Sequence, residues 1–168
     1  MKKILFVIMM LAPMSIFAQK FAHFNMANVM PEMAEWKTAS AEIQKLTTQY
    51  QETLENIQKE YQAKAEEFQK LSNDSTPQAI LQSKAQDLQR MEQSIQDFYQ
   101  ASQQDLQKQQ TEKMEPILAK ISAAIKKISD AGGYVYIVDI SSASSAIFVN
   151  ETLSTDITAQ LKTELGIK

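Results

Sequence analysis

The sequence contains no cysteine, only three glycines, and a single histidine and tryptophan. Without cysteine there is no disulfide, no thiol nucleophile and no thiolate metal ligand, so packing has to supply the stability. Three glycines could hardly build a phosphate-cradling loop or a nucleophile elbow, and neither pattern occurs. His23 lies within "FAHFNM" with no carboxylate cluster near it. A lone imidazole offers neither an acid–base pair nor a metal set, and it reads as a half-exposed strand histidine. An enzyme is not expected, and no catalytic residue, cofactor or metal ligand is assigned. An excess of positive charge is also missing: 17 basic residues stand against 20 acidic ones. Nucleic acid, which needs a basic face for its phosphates, is excluded as a partner. Nor is there an apolar run of the roughly 20 residues that crosses a bilayer.

The longest apolar run, Ile4 to Leu11, follows Lys2 and Lys3 and is broken by Pro13. With Ala18 placed for a cut, this is the pattern of a cleaved secretory leader occupying residues 1–18. The mature chain then starts at Gln19 and is directed to the periplasm. Peripheral contact with a membrane surface is compatible with this pattern, and integral insertion is not. Removing Lys2 and Lys3 leaves 15 basic against 20 acidic residues, a net charge of −5.

What is present is mostly helix. From Pro31 to Leu71 no glycine intervenes, and Ala, Glu, Gln, Lys and Leu dominate. Ile43, Leu46, Tyr50, Leu54, Ile57, Tyr61, Ala65, Phe68 and Leu71 recur at steps of three and four, the seam of a coiled coil. About 40 residues at 1.5 Å each give a rod of roughly 60 Å. The polar run "SNDSTP" then turns the chain, and Pro77 opens a second helix that runs to about Ala131, where Gly132 and Gly133 end it. Its seam passes through Leu81, Ala85, Leu88, Met91, Ile95, Phe98, Leu106, Met114, Ile117, Ile121, Ala124 and Ile128. So short a connection makes the helices antiparallel, with Tyr50 near Tyr99 and Trp36 near Met114. Glutamine crowds the stretch between Phe98 and Met114, and Pro116 predicts a bend. "NDS", "NET" and "DST" match glycan acceptor patterns, but turns require the same residues and the turn reading is preferred.

Strands flank the hairpin. "FAHFNM" (Phe21 to Met26) precedes it, and "YVYIVDI" (Tyr134 to Ile140) follows it. "SSASS" then suggests a turn into "AIFVN" (Ala146 to Asn150), a third strand antiparallel to the second. A last helix starting near Ser154 or Thr155 carries Ile157, Leu161 and Leu165 on one face and stops at Gly166. The fold class is α+β, mostly α: a coiled-coil hairpin over residues 31–114, its tip near 72–77, inserted into a small β-strand body made of 19–30 and 115–168. A body of about 65 residues is near the limit of independent stability. Tyr134 to Ile140 is apolar on both faces, so other copies of the chain are expected to cover what the last helix cannot.

In this order of parts the chain resembles the Skp (OmpH-like) periplasmic chaperone family over essentially its whole mature length. The leader, "FAHFNM", the Gln/Lys/Glu-rich hairpin, "YVYIVDISSASSAIFVN" and "STDIT" carry the resemblance. It implies a jellyfish-like homotrimer whose three helical tentacles enclose a cavity. Such proteins hold unfolded outer-membrane β-barrel proteins without nucleotide. The trimer body would draw on Phe21, Phe24, Tyr134, Tyr136, Val138, Ile140, Ile147 and Val149. Candidate client contacts on the tentacle are Phe68, Met91, Phe98 and Tyr99, although seam spacing also suits packed core. One departure concerns charge, because the better-known members have basic tentacles. Here Glu60, Glu66, Glu67, Asp74 and Asp87 nearly balance Lys64, Lys70, Lys84 and Arg90, which favours a solvated face of ion pairs. Electrostatic capture of acidic clients or of lipopolysaccharide phosphates is disfavoured. The rival reading is a structural or adaptor hairpin of the bacterial envelope.

Overall fold

A computed structural model describes residues 19–72, 75–141 and 148–167; the expected leader and Ile147 lie outside them. In chain order the elements are strand β1 (Lys20–Phe24), a short helix α1 (Met26–Val29) and a 3-10 turn (Met30–Glu32). The long helices α2 (Ala34–Ser72) and α3 (Gln78–Gly132) follow, then strands β2 (Tyr134–Asp139) and β3 (Ser154–Asp156) and helix α4 (Thr158–Glu164). The protein is a mostly helical α+β chain with two long helices and a small sheet. It divides into two compact units. One is Ala34–Ile117, and the other joins the residues up to Met33 with those from Leu118 onward.

In the hairpin unit, contacts between α2 and α3 run antiparallel. Glu42 meets Lys113, Tyr50 meets Phe98 and Asp105, and Glu67 meets Lys84. Tyr50 therefore lies against Phe98, the neighbour of the expected Tyr99, and its hydroxyl reaches on to Asp105. Pro31 does not open the long helix. It sits in the 3-10 turn, and Met33 takes an extended conformation (ψ 134°) before α2 begins at Ala34. At Pro116 α3 continues as one helix, although proline has no N–H to give to the preceding turn.

The strand unit holds a three-stranded sheet in the order β2-β1-β3, with the central β1 parallel to both neighbours. The expected third strand over Ala146–Asn150 is not formed at residues 148–150. Asn150 instead starts an Asx turn, its Oδ1 accepting from the Thr152 N–H (2.9 Å) and its carbonyl from Leu153 and Ser154. The chain so redirected pairs Ser154–Asp156 with β1, and the last helix begins only at Thr158. Met26, expected to end the first strand, instead opens α1.

The strands alternate faces. Ala22 and Phe24 point into a core shared with Val29, Met33, Ile121, Ala124, Ile128, Ile157, Leu161 and Leu165, all buried. The Ile157, Leu161 and Leu165 face predicted for the last helix is thus the buried one. Helix α3 ends as its glycines require: Gly133 has φ +66° and returns its N–H to the Ser129 carbonyl, and a Cβ on Gly132 would collide with the Tyr134 ring. Polar contacts tie the strand ends. Asp139 Oδ1 accepts from the Met26 N–H (3.1 Å), and Thr158 Oγ1 accepts from the Asn25 N–H (3.1 Å).

Asp156 closes the first turn of α4. Its carboxylate accepts from both the hydroxyl (2.6 Å) and the N–H (2.8 Å) of Thr158. Those two bonds, the hydroxyl's first, hold its pKa below the ordinary aspartate value of 3.8. The folded value is thus the lower one. The contribution is present above the unfolded pKa and is lost as pH falls through the folded value. Acid titration of stability below about pH 4 is expected to be shallower for Asp156→Asn than for the parent. Equal acid slopes in urea melts would contradict this.

Candidate interaction surfaces

The face of the sheet turned away from the core is built by register. Phe21 and His23 of β1 stand opposite Tyr136 and Val138 of β2, and opposite Ser154 and Asp156 of β3. The Phe21 and Tyr136 rings stack with centroids 6.2 Å apart and planes 7° from parallel. Tyr136 is 64% exposed, Phe21 39% and Val138 38%. Beside them a groove of about 240 Å³ is lined by Val149, Phe148 and Leu153, of which Phe148 is 95% exposed. Contiguous apolar surface of this kind marks an interaction site more often than chance.

Of the residues expected in an oligomerisation body, the structure gathers Phe21, Tyr136, Val138 and Val149 at this face. Tyr134 is half-buried with its ring beside Gly132. Ile140 is half-buried beyond the end of β2, its N–H bonded to the Phe24 carbonyl (2.9 Å). Phe24 is not available to another chain, because strand alternation turns it into the protomer's own core at 4% exposure. Sequence reasoning missed Phe148 as an exposed residue and Leu153 altogether. Phe148 falls within the strand expected over Ala146–Asn150, and Leu153 sits in a polar run, "NETLSTD", without alternation to flag it. His23 is not half-exposed but buried within this outer face, with Nδ1 2.9 Å from the Ser154 hydroxyl, a satisfied strand histidine.

The hairpin presents a second surface. Of the predicted seam residues from Ile43 to Phe98, Ala85 is exposed and the others are half-buried, and between Ala34 and Pro116 Ser102 alone of the described residues is buried. Two helices leave one side of each seam side chain open to water. Phe68 and Met91 occupy such positions, and Phe98 packs edge-on against Tyr50 at 5.9 Å. Tyr50 donates its hydroxyl to Asp105 (2.7 Å), and that bond, with some burial, raises its pKa. Tyr99 lies one position off the seam and is 55% exposed. It lines a groove of about 530 Å³ whose apolar walls are Leu54 and Ile95. Charges near the tip pair locally, as Lys64–Glu60 (3.4 Å), Lys84–Glu67 (2.9 Å) and Arg90–Asp87 (2.6 Å). Among the described residues there is no group of three His, Cys, Asp or Glu side chains placed to hold a metal, and no helix long and apolar enough to cross a membrane.

Residues 20–165 match the family model for outer membrane protein, OmpH-like. The chain belongs to the OmpH-like family. The match runs from the first residue of β1 to Leu165, the last buried residue after α4, and so takes in both surfaces. The fold is similar to the crystal structure of an OmpH-like protein from Caulobacter crescentus CB15, itself proposed to be an outer membrane chaperone. The TM-score is 0.71 at 15% identity, covering 89% of this chain and 85% of the other. No curated protein matches the sequence. At 15% identity the likeness to that structure is one of fold, with most side chains different.

Proposed function

We propose that this protein is a periplasmic holdase chaperone that works without ATP. It would bind unfolded outer-membrane β-barrel proteins between the hairpins of a homotrimer and keep them from aggregating before insertion. The observation that carries the reading is the unsealed hairpin, whose apolar seam stays half-open along its length. OmpH-like family membership and the similar Caulobacter structure support it. So does the uncovered aromatic face of the sheet, which suits a hub shared by several copies.

The physics of the client fits. An unfolded barrel offers alternating apolar side chains and open strand edges, and aggregates through both. Many weak contacts from several arms bind such a chain by avidity, with no need for a pocket. Release without nucleotide then falls to the client's own folding or to a partner of greater affinity.

The test dilutes an unfolded outer-membrane barrel from urea and follows light scattering with and without the purified protein. Suppression at about equimolar trimer, unchanged by ATP, is the expected outcome. A stable trimer that leaves the scattering unaltered would instead favour the adaptor role.

A further inference from the structure

The hairpin has two chemically different sides. From Gln82 to Gln110 along α3, glutamine recurs at alternating steps of four and three residues without a break. That period of 3.5 keeps every one of these side chains on a single stripe beside the seam. Most stripe members directly follow a seam residue, as Gln89 follows Leu88 and Gln96 follows Ile95. On α2, Gln44, Gln51 and Gln58 likewise follow Ile43, Tyr50 and Ile57.

In an antiparallel pair, residues that follow the seam on one helix share a side with those that follow it on the other. The larger groove bears this out, with Gln58 and Gln100 in its lining; the groove beside Trp36 joins Gln44 and Gln110 but reaches round to Lys113. The opposite side is ionic. Glu42, Glu67, Lys84, Asp105 and Lys113, which make the polar contacts between the helices, each directly precede a seam residue.

The larger groove, with Tyr99, Leu54 and Ile95, has no charged residue in its lining, and α3 carries no charge from Phe98 to Gln104. Its five glutamines, at 58, 96, 100, 103 and 104, are exposed. Among the described residues their side-chain amides bond to no protein group. A primary amide carries both donors and an acceptor, the same complement as a peptide group. With no cation present, a phosphate or carboxylate would be desolvated there without compensation, and a bare hydrocarbon would strand the amides.

We infer that this glutamine-lined side of the hairpin binds the main chain of an extended, uncharged polypeptide segment, through side-chain amides to backbone N–H and C=O groups. Alternate apolar side chains of the segment rest on Tyr99, Leu54 and Ile95. The stripe repeats every 5 Å or so, whereas a strand repeats side chains on one face about every 6.7 Å, so no register is imposed. Recognition is then blind to sequence, as a holder of many unfolded chains requires. The inference rests on the holdase reading and assigns its client contact to backbone chemistry.

The probe is a capped peptide of about ten residues, the length of one membrane-spanning strand, alternating leucine and serine. Its dissociation constant is expected to rise about tenfold for the full-length Q96A/Q100A/Q103A variant, whose alanines preserve the helix. Unchanged or tighter binding would mean an apolar groove in which the amides play no part. On the unsubstituted protein, N-methylation of alternate peptide residues removes donors and is expected to weaken binding by about the same factor. Equal affinity for both peptides, or no binding of the unmethylated one, overturns the assignment. Barrel scattering separates the two ideas. If the protein suppresses it yet binds both peptides alike, the holdase reading stands and the amide assignment fails; if suppression is absent, the holdase reading itself fails.

Discussion

Replacing Tyr136 and Val138 together by aspartate is expected to yield a folded monomer. Both side chains stand on the uncovered face of the sheet, 64% and 38% exposed, outside the protomer's own core. Their loss should therefore leave the helical circular dichroism signal intact. In an assembled hub the same face would be dry. Burying an aromatic or aliphatic side chain contributes about 1.5–3 kcal/mol, and enclosing an unpaired carboxylate costs several more. Repeated at each contact of a symmetric assembly, two such changes exceed what a small interface provides. Mass from light scattering should fall from oligomer to single chain, and suppression of barrel aggregation should fall with it as avidity is lost. An oligomer that survives the double substitution would place the hub elsewhere.

Leu161→Ala is expected to be the most damaging single truncation. Leu161 is the one buried residue of the seven-residue α4, and Ile157 and Leu165, which flank the helix, are buried on either side of it. Truncating a buried leucine costs about 2–5 kcal/mol by lost transfer energy and the cavity left behind. Whole domains are stable by only about 5–15 kcal/mol, and this unit is small. Urea midpoints, taken at one protein concentration because assembly couples to folding, should drop accordingly. Leu118→Ala is the control: at 45% exposure it should change stability by under about 0.5 kcal/mol. A Leu161→Ala midpoint no lower than the control's would refute the packing account.

Helices were easier to read from the sequence than strands, and the reasons are local. The seams of α2 and α3 repeat over many turns, and Pro77 and Gly133 mark ends with a backbone reason for each. Helix pairing followed from the short connection, so Trp36 and Met114 line one groove as expected. The sheet offered far less. Ser154–Asp156 is three residues long, too short for alternation to show, and its Ser, Thr and Asp are also residues that cap helices. Asp156 performs both tasks, ending β3 and holding Thr158. The apolar "AIFVN" looked more like a strand than polar "STD", yet pairing went to the segment that the Asn150 turn delivered to the free edge of β1. Of the candidate surfaces, the strand face was legible through Tyr136 and Val138. That Phe24 faces the protomer's own core was not legible, because which face of β1 meets the helices is decided by packing and leaves no mark on a five-residue strand.

The order of the sheet has a consequence for how the molecule is made. Its central strand is the first in the chain, and both neighbours come from the far end, with Lys20 opposite Tyr134 and Phe21 opposite Ser154. An emerging polypeptide therefore exposes β1 with neither partner strand available until the chain has grown past Tyr134. Contacts this distant are slow to close, and the intervening hairpin, which can zip from its own tip, shortens the search by bringing the two ends together. A nascent chain interrupted before Tyr134 would carry an orphan hydrophobic strand and would itself need the protection that the finished protein is proposed to give.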